Sequence, residues 1–563
     1  MGREMKTLRL IWFLCAGSLA MEPGRAADWQ WSLPIEAGAP VDSPASPRAF
    51  LWIPPACQRV RAIVVGQNNM IEPGILEHPE FRAALAQLGI AEVYLAPGFN
   101  NWQDAAGNEA AKDHFSALLK QLAGVSGYGE LEFAPVIPIG HSAMASFPWN
   151  FAAWNPERTL AILSVHGDSP QTDRVGNGRP NVDWGTRSID GIPGLMVVGE
   201  YEWWEDRIVS AVTFRARHPY APLALLCDVG HGHFDYSDEL VRYLALFIRK
   251  AAAQRLPSDA PTNQPVKLKP LDARDGWLMD RWHKHEKPRA AAAPFAQYSG
   301  PTNEAFWCFD EEMARASEHF NPQFGKQPQL VGFVQDGQIM PQTVPPSHEQ
   351  VRLKTPVLDD TLTFKLHGAF LDTVPPGPRP KLWTGLPTGA ALGHAGGGGP
   401  VVLSRISGPV IQTAPDTFAV RFNRSSISLD PRIGDIWLLA SHPGDAQYKS
   451  AVEQAELKIP VPQTEGAAQQ ITSPPLSDVT NGTASLPLRA TADSGAKIYY
   501  YVREGPAEIE GDTLRFTPIP PRARFPMKVT VVAWQWGRTK EPKLKSAVPV
   551  TRSFFIQEKC AKN

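Results

Sequence analysis

Between residues 61 and 253 the chain repeats one pattern, a short apolar run followed by a stretch of helical periodicity. "RAIVVGQ" leads into "GILEHPEFRAALAQLG", "AEVYLAPG" into "AAKDHFSALLKQLAG", and "APVIPIG" into a helix predicted from Ser142 to Trp154. "TLAILSVHG" is a further strand, "GLMVVGE" precedes "EDRIVSAVTFRARH", and "PLALLCD" precedes "SDELVRYLALFIRKAAA". Apolar runs that short, with no polar alternation, are strands buried on both faces, and the helices between them make the connections parallel crossovers. Right-handed crossovers then give an α/β fold built on an open, doubly wound, mostly parallel sheet. Ligands of such sheets bind beyond the carboxyl ends of the strands, so the loops at that edge are where chemistry is sought.

The alternation defines a domain over residues 28–255 and stops at "RLPSDAPTNQPVKLKP", a Pro-rich polar stretch read as a linker over 256–270. Residues 271–462 contain one predicted helix in "EAFWCFDEEMARASEHF" and short runs such as "TLTFKLHG", "PVVLSRI", "TFAVRFN" and "DIWLLAS", broken by Pro and Gly. That pattern predicts an antiparallel sandwich, in keeping with the 54 prolines and 45 glycines of the chain. "GHAGGGGP" has no Lys-Ser/Thr and opens no helix, so it reads as a loop and not a phosphate cradle. Over residues 469–557, "GPAEIEGDTLRFT" followed by a "VTVVAWQ" strand resembles the small immunoglobulin-like modules of bacterial surface proteins, which implies a spacer or adhesion β-sandwich.

Arg3, Lys6 and Arg9 precede an apolar run from Leu10 to Met21, and small residues follow in "PGRAAD". That order predicts a secretory signal peptide over residues 1–27, cleaved near Ala26 or Ala27, and hence a secreted or periplasmic protein. No later stretch is long and apolar enough for a transmembrane span. With 55 basic against 57 acidic residues, no field points to nucleic acid. Beyond Cys15 in the leader, Cys57, Cys227, Cys308 and Cys560 are scattered without metal-ligand spacing, and they read equally as disulfide partners or buried thiols.

Against that frame "PVIPIGHSAMASFPWNFAAW" stands out. Ser142 falls where a central strand turns into a helix, which suits either an ordinary N-cap or a nucleophile elbow. Gly140 gives room for a tight turn, and the Ala143 N–H points where an oxyanion would form. The usual G-x-S-x-G has Met144 in place of its last glycine, with Ala145 one position later as a partial substitute. Two strands on, "LMVVGEYEWWED" ends in a carboxylate-rich loop, and one strand after that "LLCDVGHGHFDYSDE" ends in a loop with two histidines. Serine, acid and histidine, each at the carboxyl end of its own strand, make the order in which this architecture assembles a triad.

From about Leu51 to Lys250 the chain therefore resembles the α/β-hydrolase superfamily. The resemblance implies Ser142 as nucleophile and Glu202 as acid, with Glu200, Glu205, Asp206, Asp228 and Asp168 as rivals. It implies a histidine from "VGHGHF", with His231 preferred and His233 next, and oxyanion donors at Ala143 and Gln67. No metal or organic cofactor is needed by such chemistry. Trp203 and Trp204 beside the acid read as a platform for a sugar or acyl group, or else as core, whereas Trp149 and Trp154 read as packing for the elbow helix. The loop from Asp168 to Gly194 is too short for a large lid, so an open site and a small-molecule or polymeric ester are expected. The reading is an exported serine hydrolase of carboxylic esters, on polysaccharide-linked or plant-polymer substrates. The alternatives are a peptidase of the same fold or a non-catalytic surface or carbohydrate-binding protein.

Overall fold

The computed structural model describes residues 29–559 apart from 36–46, 100–101, 103–107, 173–181, 203–204, 285, 322–324, 344–349, 360–361, 425 and 427–431. The signal-peptide expectation, Cys15 and Cys560 lie outside the described residues. No helix among the described residues is long and apolar enough to cross a membrane.

Eight strands form one sheet: β1 (Trp31–Pro34), β2 (Arg48–Trp52), β3 (Ala62–Gln67), β4 (Ile90–Ala96), β5 (Val136–His141), β6 (Ile162–Val165), β7 (Gly194–Gly199) and β8 (Leu223–Asp228). Their spatial order is β1-β2-β4-β3-β5-β6-β7-β8. The pairings of β1 with β2 and of β2 with β4 are antiparallel, and all others are parallel. Every residue of β3 through β8 is buried, as expected for strands covered on both faces.

The pleat sends alternate residues into two cores. Ile63 and Val65 join one core with helices α3 (Asn108–Ser126), α4 (Phe147–Trp154) and α5 (Glu205–Arg217). Ala62 and Val64 join the other, with α1 (Glu72–Leu76), α2 (Pro79–Leu88) and α6 (Asp238–Arg255). Trp149 and Trp154 of α4 are buried against the sheet.

Two predicted elements differ. The helix expected from Ser142 is a single 3-10 turn over Ser142–Met144, and the α-helix starts only at Phe147 with Pro148 in its first turn. Ser142 has φ +51°, a left-handed value from which a right-handed helix cannot run. The helix expected across "EAFWCFDEEMARASEHF" divides into a strand at Ala305–Cys308 and a helix at Glu311–His319. Asp310 separates them, because its carboxylate accepts from Met313 N–H at 3.1 Å and caps the helix.

From Trp277 onward the chain builds small, mostly antiparallel sheets. The one bearing on the site has four strands in the order 351–353, 451–458, 435–442, 402–407. Its Trp437, Leu439 and Val452 share the core of α1, α2 and α6. The 499–504 strand docks at the opposite edge of the eight-stranded sheet, where buried Glu504 meets Arg48 of β2 at 3.2 Å. Cys57, Cys227 and Cys308 are buried free thiols.

Candidate active site

Strand β5 delivers Ser142 at its carboxyl end. A Cβ on Gly140 would lie 2.0 Å from the Met144 carbonyl oxygen, so only glycine lets the turn fold back this tightly. Gly167, just past β6, does the corresponding work on the other side, since a Cβ there would lie 2.0 Å from Cβ of Ala145. The close packing that the missing glycine of the motif would provide is thus made by the pair Ala145 and Gly167. Ser164 Oγ of β6 donates to the Ala145 carbonyl at 3.0 Å and ties the turn to the sheet.

Ser142 is partly exposed, and its Oγ lies 2.7 Å from Nε2 of His233. His233 Nδ1 is hydrogen-bonded to Oε2 of Glu202. With Nδ1–H committed to a carboxylate, Nε2 is left as the acceptor for the Ser142 hydroxyl proton. Glu202 sits in the 3-10 turn Glu200–Glu202 after β7 and is 7% exposed. Its carboxylate also accepts from Gly199 N–H at 2.9 Å, from Arg207 Nη1 at 3.0 Å and from His166 Nδ1 at 2.6 Å. Burial by itself would raise this carboxyl, but the His233 and His166 imidazoles outweigh it and hold Glu202 well below the usual carboxylate range.

His233, not the preferred His231, therefore meets the serine. His231 is turned toward acids of its own loop, its Nδ1 3.4 Å from Asp235 Oδ1. Burial opposes the charge on His231, yet Asp228 and Asp235 push its pKa up to about 10. The sequence signal, Gly-His directly after the last strand, could not foresee this, because Gly230 takes φ +74° and redirects the loop.

Three of the five rival acids pair with cations. Asp168 pairs with Arg207 at 3.0 Å, Glu200 with Lys449 at 3.3 Å, and Glu205 with Arg281. Gln67 ends β3 with its side-chain oxygen accepting from Phe99 N–H at 2.6 Å, and Ala143 follows the serine in the 3-10 turn. Trp203 and Trp204 lie outside the described residues.

Two residues near the site escaped the sequence reading. Glu72, in the first turn of α1, accepts from His141 N–H at 2.9 Å and from Asn69 and Met70 N–H at 3.1 and 2.9 Å. It clamps the loop after β3 to the residue before Ser142, and burial raises its carboxyl to about 7 despite those donors. His166, fully buried with φ +50°, fixes the far oxygen of Glu202. Burial opposes its charge, but Glu202 and the nearby Asp235 and Asp228 raise its pKa overall. Its signal was available, as a histidine at the carboxyl end of the strand lying between those of the serine and the acid.

Among the described residues, the one group with metal-ligating types close together is His166, Asp228 and Asp235, whose ligand atoms lie within 4.8 Å of one another. Asp228 and Asp235 raise the pKa of His231, while burial pushes the Asp228 carboxyl up.

No family model matches the chain, and no curated protein matches it. Among solved structures it is similar to esterase PE8, at 16% identity over 36% of this chain and 97% of that one, with a TM-score of 0.25. It is also similar to the poly(3-hydroxybutyrate) depolymerase LpqC from Bordetella parapertussis, at 13% identity over 42% and 92% of the two chains, TM-score 0.26. An S-formylglutathione hydrolase from Agrobacterium tumefaciens matches at 15% identity over 40% and 94%, TM-score 0.27.

Proposed function

We propose that this chain is a serine hydrolase that cleaves carboxylic esters through an acyl-enzyme. The observation that carries the reading is the unbroken relay from Ser142 Oγ to His233 Nε2, and from His233 Nδ1 to Glu202, on a partly exposed turn at left-handed φ. Non-glycine residues persist at such backbone angles where the surroundings impose them, and here the imposed angle turns the hydroxyl toward the imidazole.

In this mechanism His233 Nε2 takes the Ser142 proton as Oγ attacks the ester carbonyl. Glu202 holds the Nδ1–H tautomer and stabilises the imidazolium, for which its firmly ionised carboxylate is suited. The Ala143 N–H, with a second donor on the loop around Gln67, receives the oxyanion. The imidazolium then returns its proton to the departing alkoxide. Water, deprotonated by the same imidazole, releases the acid and restores Ser142.

On this reading residues 1–27 are a leader, the protein acts outside the cytoplasm, and the 469–557 region is an immunoglobulin-like sandwich suited to a polysaccharide or cell surface. Bulky or polymeric esters are the proposed substrates. The test is hydrolysis of p-nitrophenyl acetate and labelling by a fluorophosphonate, both lost in Ser142→Ala. A wild-type protein that is folded, inert and unlabelled overturns the proposal.

A further inference from the structure

The histidine loop between β8 and α6 contains no strand or helix; its own Asp235 accepts from Gly232 N–H at 3.2 Å, His141 Nε2 lies 2.7 Å from the His233 carbonyl oxygen, and further contacts come from outside it. One such contact comes from more than two hundred residues away. Gln454 lies in the 451–458 strand of the four-stranded sheet and is 1% exposed. The orientation that satisfies its carboxamide places the oxygen 3.0 Å from both His233 N–H and Phe234 N–H. Gln454 N–H in turn donates to Gln350 Oε1 at 2.7 Å, so the residue is fixed from behind.

The surroundings are shaped around this contact. A Cβ on Gly232 would lie 2.2 Å from that same carboxamide oxygen of Gln454, and one on Gly230 would lie 2.0 Å from Ser450 Oγ. The two glycines of "VGHGHF" therefore admit the 451–458 strand and its approach against the loop. Phe234 packs on Trp437 with ring centroids 4.8 Å apart, and Lys449 reaches Glu200 beside the acid at 3.3 Å. On the acid turn itself, Trp383 Nε1 donates to the Tyr201 carbonyl at 3.1 Å.

We propose that Gln454 is a positioning residue for the His233 imidazole, so that the β-rich region completes the active site and is not merely appended to it. The inference rests on the reading of Ser142, His233 and Glu202 as a triad. An acceptor shared by two successive backbone N–H groups fixes both the position and the tilt of the peptide that carries the imidazole. A displacement of about 1 Å at a reacting group costs up to about 100-fold in rate.

The test uses the full chain and p-nitrophenyl acetate, with wild type and Ser142→Ala beside Gln454→Met, Gln454→Glu and Gly232→Ala. Gln454→Met keeps the side-chain shape without the acceptor. We expect kcat to fall about 10- to 100-fold with KM changed less than about twofold. Gln454→Glu, which retains an oxygen acceptor, recovers most of the loss. Gly232→Ala displaces Gln454 and lowers kcat by a similar factor, and combining it with Gln454→Met adds little further. A folded Gln454→Met with wild-type kcat, a Gln454→Glu as impaired as Gln454→Met, or a loss confined to KM overturns the inference. Should Gln454→Met fail to fold, Gly232→Ala decides by the same criterion. A wild type silenced by Ser142→Ala, with Gln454→Met at full kcat, sinks this inference alone. An inert wild type or a fully active Ser142→Ala sinks the triad reading and this inference with it.

Discussion

Replacing His231 and His233 in turn by asparagine separates two roles that the sequence leaves interchangeable. His231 is an imidazolium whose Nδ1 stands 3.4 Å from the buried carboxylate of Asp235, with Asp228 also acting on it. At that separation and an effective dielectric constant near 20, the attraction is about 5 kcal/mol, part of which is spent on desolvating the pair. Removing the cation leaves two buried acids without their principal counter-charge, and His231→Asn is expected to destabilise the fold by about 3 kcal/mol. Because folding raises the pKa of His231 from 6.5 to about 10, its contribution is fully present below pH 6.5. It declines as the pH rises above that value and is gone above about 10. Urea unfolding of the full chain across this range should show the decline in wild type and a flatter curve in His231→Asn. Ester hydrolysis by the folded His231→Asn protein should stay within about tenfold of wild type. His233→Asn should lower kcat about 10,000-fold, which is about 5 kcal/mol of transition-state stabilisation. A folded His231→Asn that is inert, or a His233→Asn that hydrolyses esters normally, refutes the assignment.

Ser142→Gly should unfold at higher urea than Ser142→Ala, by about 1 kcal/mol, because only glycine adopts φ +51° without strain; equal midpoints contradict this. Gly167→Ala should cost about 1–3 kcal/mol and reduce activity, because its Cβ would lie 2.0 Å from that of Ala145. Adding Ala145→Gly should restore part of both, and a double variant no better than Gly167→Ala denies the packing argument. Glu504→Gln should cost about 3 kcal/mol, measured by denaturant unfolding, by leaving Arg48 buried without its counter-charge. Burial would raise the Glu504 carboxyl, but Arg503 and Arg48 hold it at about 2. Its contribution is therefore present above pH 4.5 and lost as the pH falls toward 2, a loss that Glu504→Gln should not show.

Much of the fold between residues 61 and 255 was legible because burial on both faces forces short apolar runs into the strands. "RAIVVGQ", "APVIPIG" and "PLALLCD" each became a strand of the central sheet. The amphipathic stretches between them became helices split across its two faces. Strand order in the chain also dictated that Ser142, Glu202 and the two histidines would emerge at one edge, so the candidate site followed from connectivity before any coordinates. What periodicity does not carry is the course of a loop. His231 and His233 are two residues apart in an aperiodic segment, and the choice between them came from a left-handed glycine and the pull of Asp228 and Asp235. The false helix start at Ser142 has the same origin, since a helical pattern reports which face is apolar and not where φ changes sign. His166 falls in the strand run "TLAILSVHG" and Glu72 between two predicted elements, and neither stands out there because a buried polar residue acquires its partners from other strands and loops. Gln454 lies furthest beyond reach. Nothing near it in the chain marks it, and its relation to His233 exists only where the β-rich region meets the histidine loop. Local pattern set the sheet and the edge at which the loops gather, while packing between distant segments decided which side chains meet there.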